Sequence, residues 1–139
     1  MRYAPVSSLS APVVPFSVIR WFALLALCAA YLQGGMMKLF DFSGAVAEMQ
    51  HFGLSPAAPM AAAVIILELG ASLLILSGRF RRAGALALAL FTFCANFMAN
   101  AYWQVSGHER AMMMNGFFEH IGLTGAFIYV AWNGVKGHK

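Results

Sequence analysis

The sequence predicts an all-α integral membrane protein: a four-helix bundle with a short interfacial helix after the first span. Three observations predict it. The chain of 139 residues is 61% hydrophobic and 10% charged, against about 25% charged in a typical soluble domain. A soluble fold of this size leaves too much surface wet to hide so much apolar side chain. The apolar residues fall into four runs, each close to the roughly 20 residues a helix needs to cross a bilayer. The basic residues sit at the ends of those runs and form no basic stripe interleaved with aromatic rings. The net charge of +4 therefore points to membrane flanks and away from nucleic acid.

The elements follow in order. Residues 1–16, with Pro5, Pro12 and Pro15 and several serines, read as a flexible tail. Leu25-Ala26-Leu27-Cys28 resembles a lipoprotein box, but Leu27 stands where a small residue is needed, and cleavage after Ala30 would discard an apolar helix. No cleaved signal peptide is expected. The first span is expected at about 17–37, inside the uncharged interval from Arg20 to Lys38. Phe42, Val46, Met49 and Phe52 then recur at helical spacing, with Glu48 and Gln50 off the stripe. This reads as a short amphipathic helix lying in the interface.

The second span is expected at about 56–77, opened by Ser55 as N-cap with Pro56 in the first turn and broken at Ser77-Gly78. The third fills about 83–105 and the fourth about 112–132, ending at Asn133-Gly134. Residues 134–139 form a short C-terminal tail. Trp21, Trp103 and Trp132 fall near helix ends, as in an interfacial belt. Met112, Met113 and Met114 read as lipid-facing or gap-filling side chains rather than copper ligands. Cys28 and Cys94 lie in apolar runs with no paired motif and read as small hydrophobic core residues.

Lysine and arginine counts set the orientation. Arg2, Arg20, Arg79, Arg81, Arg82, Lys136 and Lys139 lie on one side, and Lys38 and Arg110 on the other, seven against two. The positive-inside rule then places both termini in the cytoplasm.

Polar residues within the spans are the candidate site. Glu68 falls midway along the second span, where a charge costs roughly 2.5–3.5 kcal/mol and must face the interior with a partner. It shares a stripe with Ala61, Val64, Ile65, Ala71 and Ser72. The third span presents Thr92, Asn96, Asn100 and Trp103 on one face; the fourth presents Asn115, Glu119, Gly122 and Ala126. His120 starts a separate face with Gly116 and Thr124. Given the topology, Lys38, Asn96, Asn100, Asn115 and Glu119 lie in the outer half of the bundle, above Glu68 as the floor. Two readings stand: hydrogen bonds that brace the helices, or a small site for a quinone-like amphipathic molecule or for proton transfer. His108 and Glu109, placed in the outer connection, are weak metal candidates, because neither they nor His120 and Glu119 have ligand spacing. No metal is expected.

The order of several short motifs resembles the DoxX family of small four-helix bacterial membrane proteins. They are Gly35-Met36-Met37-Lys38-Leu39, Phe52-Gly53-Leu54, Ile65-Ile66-Leu67-Glu68-Leu69-Gly70, Leu76-Ser77-Gly78-Arg79-Phe80-Arg81-Arg82 with Ala83-Gly84-Ala85-Leu86, Gly116-Phe117-Phe118 and Gly122-Leu123-Thr124-Gly125. The resemblance implies a bundle in the bacterial cytoplasmic membrane. It also implies an association with quinone-linked redox systems, after the thiosulfate:quinone oxidoreductase subunits that name the family. The chain departs from the family where Glu119-His120 replaces a lysine–asparagine pair and Asn100 replaces a histidine. The expectation is an auxiliary subunit of a membrane redox system, in contact with lipid and a redox partner protein and open to homo-oligomerisation. The alternative is a non-catalytic adaptor or assembly factor.

Overall fold

The computed structural model describes residues 16–133. The expected C-terminal tail and all but the last residue of the N-terminal tail lie outside them. Five α-helices and one 3₁₀ turn make up the element order: α1 (Phe16–Phe40), α2 (Phe42–His51), α3 (Ala57–Ser77), α4 (Arg81–Ala99), the turn Tyr102–Gln104, and α5 (Gly107–Asn133). Among the described residues, three segments are long and apolar enough to cross a membrane: Ser17–Phe40, Ala57–Ser77 and Arg81–Gln104. The fourth long helix, α5, has the length but carries Asn115, Glu119 and His120 in its N-terminal half. Its Phe127 and Ala131 are buried in one core with Leu24 and Cys28 of α1, Ile75 of α3 and Ala85 and Leu88 of α4. Its C-terminal half therefore packs alongside the three spans.

Spacing explains the packing. On α1 the stripe Leu24, Cys28, Tyr31, Gly35 and Lys38 advances by alternating fours and threes, the seam that lets nearly antiparallel helices interdigitate. Ala61, Ile65, Glu68, Ser72 and Ile75 do the same on α3, and all five are buried. Small residues bring the backbones close. A Cβ on Gly35 would lie 2.8 Å from the Leu69 side chain, and one on Gly84 would lie 2.6 Å from the Ala71 carbonyl oxygen. Large apolar side chains such as Ile66, Leu73, Leu90 and Ile128 point outward instead, the arrangement expected where lipid is the solvent.

Several local details differ from the expectation. Ser55 does not cap α3; Pro56 occupies the N-cap with extended backbone (φ −73°, ψ 132°) and no side-chain cap bond. On α2 the residues that pack inward are Ala45 and Met49, set against Ala61 of α3, while Phe42 is exposed. The helix is rotated so that small Ala45 meets the neighbour. Asp41 caps it, accepting the Gly44 N–H at 3.0 Å. The helix of the expected third span, α4, stops at Ala99, because Asn100 leaves helical geometry (φ −121°, ψ 43°) and the chain tightens into the 3₁₀ turn. That of the expected fourth, α5, starts at Gly107, which puts His108 and Glu109 in its first turn rather than in a connection. At the turn joining α3 to α4, Gly78 takes the left-handed conformation (φ 76°) that closes the helix. Arg81 donates from Nε to the Ile75 carbonyl at 2.9 Å, satisfying a helix-end acceptor.

Candidate functional site

A cavity of about 560 Å³ opens among the helices toward the end of the bundle where α1 and α4 finish. Its walls are mostly apolar, with Met49, Met60, Val64, Leu67, Phe91 and Met98 among them, and all five helices contribute. Such a volume matches a small-molecule site: apolar walls with a few polar groups that fix orientation.

Those polar groups come from different elements. Lys38, at the end of α1, donates from Nζ to both carboxylate oxygens of Glu68, each at 3.2 Å. The pair is largely withdrawn from solvent, with side chains 18% and 7% exposed. The pair lies against Gly34, where a Cβ would sit in ordinary contact, 3.6 Å from both Lys38 Nζ and Glu68 Oε2. Lys38 keeps a third N–H beyond the two given to Glu68. Tyr31 and Thr92 join hydroxyl to hydroxyl across α1 and α4 on the same wall. From α5, His120 places its ring on the cavity, with Nδ1 2.7 Å from the Gly116 carbonyl oxygen. A carbonyl only accepts, so Nδ1 carries the hydrogen, and in the neutral ring Nε2 is left as a base.

A second polar group ties α4 to α5. Asn96 donates from Nδ2 to the Phe117 carbonyl oxygen at 2.9 Å and accepts from Asn100 Nδ2 at 2.9 Å. Asn100 fits against Gly116, where a Cβ would come within 2.9 Å of its Oδ1. These amides brace the helices and do not line the cavity. Among the described residues, no buried side-chain nitrogen or oxygen lacks a partner.

The expected polar cluster therefore divides. Lys38, Glu68 and His120 line the cavity, and Asn96 with Asn100 form the neighbouring brace. Asn115 and Glu119 face away from the bundle, exposed and without a side-chain hydrogen bond among those described. Position on α5 explains this. The helix buries the face that runs through Thr124, Phe127 and Ala131, and Asn115 and Glu119 lie on the other side. His108 and Glu109 are exposed at the start of α5. Among the described residues no three His, Cys, Asp or Glu side chains are grouped to hold a metal ion.

Sequence reasoning missed Tyr31 and Glu48 as cavity residues. The seam on α1 that ends at Lys38 passes through Tyr31 and was the available signal. Glu48 had none, because it reaches the cavity only through the rotation of α2. Cys28 is buried as expected, whereas Cys94 is exposed and lines the cavity. Its position on α4, off the seam of Leu88, Thr92 and Asn96, turns it out of the core.

Comparison with known proteins agrees with this architecture. A sequence model of the DoxX family matches residues 19–101, from α1 to just past the end of α4. The chain is 29% identical over 119 residues to the inner membrane protein YphA of Escherichia coli (strain K12), an alignment that covers 84% of each chain. No solved structure matches.

Proposed function

The chain belongs to the DoxX family, and from that premise we propose that it is an auxiliary inner-membrane subunit of a redox system that holds a quinone-type molecule in its cavity. The inner-membrane placement draws on the similarity to YphA. One observation carries the reading: the Lys38–Glu68 pair and His120 stand on the walls of a single, mostly apolar cavity, whose other polar side chains are Tyr31, Thr92 and Glu48. The free N–H of Lys38 suits a ligand carbonyl, and the Nε2 of neutral His120 suits a ligand hydroxyl, the two groups a quinone and its quinol present. His120 and Glu68 are groups able to take and return protons. The apolar walls suit the ring and the start of an isoprenoid tail.

Orientation enters the same proposal. The reading takes the end of the bundle that carries Arg20, Arg79, Arg81 and Arg82 as cytoplasmic, which puts the cavity in the outer half.

Titration of the protein in mild detergent with a short-chain ubiquinone analogue tests the binding. Saturable binding is expected, weakened tenfold or more by Lys38→Met and by His120→Leu and unchanged by Asn115→Leu, which alters a side chain outside the cavity. Absence of saturable binding, or equal binding in all variants, overturns the reading. The full pairing of buried polar groups favours the second reading, an adaptor whose polar residues only brace the helices. It predicts variants that lose thermal stability while the wild type binds no quinone at all.

A further inference from the structure

The outward face of α5 carries Asn115 and Glu119 one helical turn apart, both exposed and free of side-chain bonds among those described. The same helix places Phe127 and Ala131 in the common core of the spans, so its outer face looks into lipid. A charge and an amide facing hydrocarbon are unfavourable unless another protein surface meets them. Below them on that side, Gly122 and Gly125 have open space where a Cβ would stand, which lets a second backbone come close.

We propose that this face is the interface of a homodimer, α5 packed against α5 of a second copy about a two-fold axis along the membrane normal. The donor and acceptor arrangement selects the second copy. An isologous contact must be self-complementary, and a two-fold along the normal sets the two α5 helices parallel. Side chains on a helix lean toward its N-terminus, so each Glu119 carboxylate reaches back toward the level of Asn115. There it accepts from the Asn115 amide of the other copy, and the symmetry makes two such bonds. Gly122 and Gly125, one and two turns deeper, allow the close approach those bonds need. The same pairing explains why α5 carries Asn115 and Glu119 on an outward face: that half is covered by protein rather than by lipid.

Energy transfer between fluorophores on the C-terminus, measured in phospholipid vesicles over a range of protein-to-lipid ratios, tests the proposal. The wild type is expected to dimerise. Asn115→Leu, Glu119→Leu and Gly122→Leu should each weaken association at least tenfold, with helical content unchanged. Glu119→Gln should largely retain it, because an amide oxygen still accepts. Leu73→Ala, on the outward face of α3, should have no effect. A wild type that stays monomeric at every ratio overturns the proposal, as do leucine variants that dimerise at full strength. So would a monomer that retains a phospholipid through Glu119, which would assign the face to a lipid headgroup.

Discussion

At the scale of single residues the decisive interaction is the Lys38–Glu68 pair. It is a charge-assisted fork with both distances at 3.2 Å, set mostly out of water. Two effects compete in its energetics. An interhelical hydrogen bond in a membrane contributes about 0.6–2 kcal/mol, whereas stranding one partner of a buried pair costs about 3–5 kcal/mol. The 18% exposure of Lys38 relieves part of the second cost when Lys38 is the partner left behind. Glu68→Leu should therefore destabilise the protein by about 2 kcal/mol, Lys38→Met, which strands the more buried Glu68, by about 3 kcal/mol, and the double substitution by less than either alone. Thermal unfolding of the three variants in detergent checks this; additive losses would mean that the two charges do not depend on one another. These residues were legible in the sequence because a charge in an apolar run is conspicuous and must find a partner. Glu119 was equally conspicuous, yet it faces outward. Spacing tells which residues share a face of α5, but the packing of Phe127 and Ala131 decides where that face points.

At the scale of elements, helix existence followed from hydropathy, and the close contacts followed from glycine and alanine. Gly84 makes the tightest of these between long helices, its absent Cβ standing 2.6 Å from the Ala71 carbonyl oxygen. Gly84→Ala must push α4 away from α3, with an overpacking cost of about 1–3 kcal/mol. Gly70 on α3 has open space, with nothing within 4 Å of where a Cβ would stand, so Gly70→Ala should be neutral or stabilising by up to about 1 kcal/mol through helix propensity. Comparing the two melting temperatures separates contact from propensity; similar shifts would refute the close α3–α4 contact. Helix ends were less legible than helices. Ser55-Pro56 has the composition of a helix start, but Pro56 stays extended and the helix begins at Ala57. Likewise α4 ends at Ala99 although apolar residues continue, because Asn100 turns its side chain onto Asn96 and the backbone leaves the helix. Both outcomes depend on local dihedral choices that hydropathy does not report.

At the scale of the molecule, the count of crossings decides where the cavity opens, and α5 is the helix on which that count turns. Length, with 27 residues at about 1.5 Å each, suffices to span the roughly 30 Å hydrocarbon layer. Its hydropathy is diluted by Asn115, Glu119 and His120, yet its C-terminal half shares the core of the three apolar spans. If α5 crosses, residues on either side of it must lie on opposite sides of the membrane. On the positive-inside rule, seven basic residues against two then predict cytoplasmic chain ends. Fusions test both statements at once. A reporter that is active only outside the cytoplasm should work after Ser106 and fail after Lys139, and a fluorescent reporter that folds only in the cytoplasm should show the reverse. Activity on the same side at both positions would mean that α5 does not cross. Reversed activities would place the cavity, with Lys38, Glu68 and His120, toward the cytoplasm. In that last case the groups proposed to exchange protons would meet a different compartment, so the topology constrains the chemistry as directly as the residues themselves.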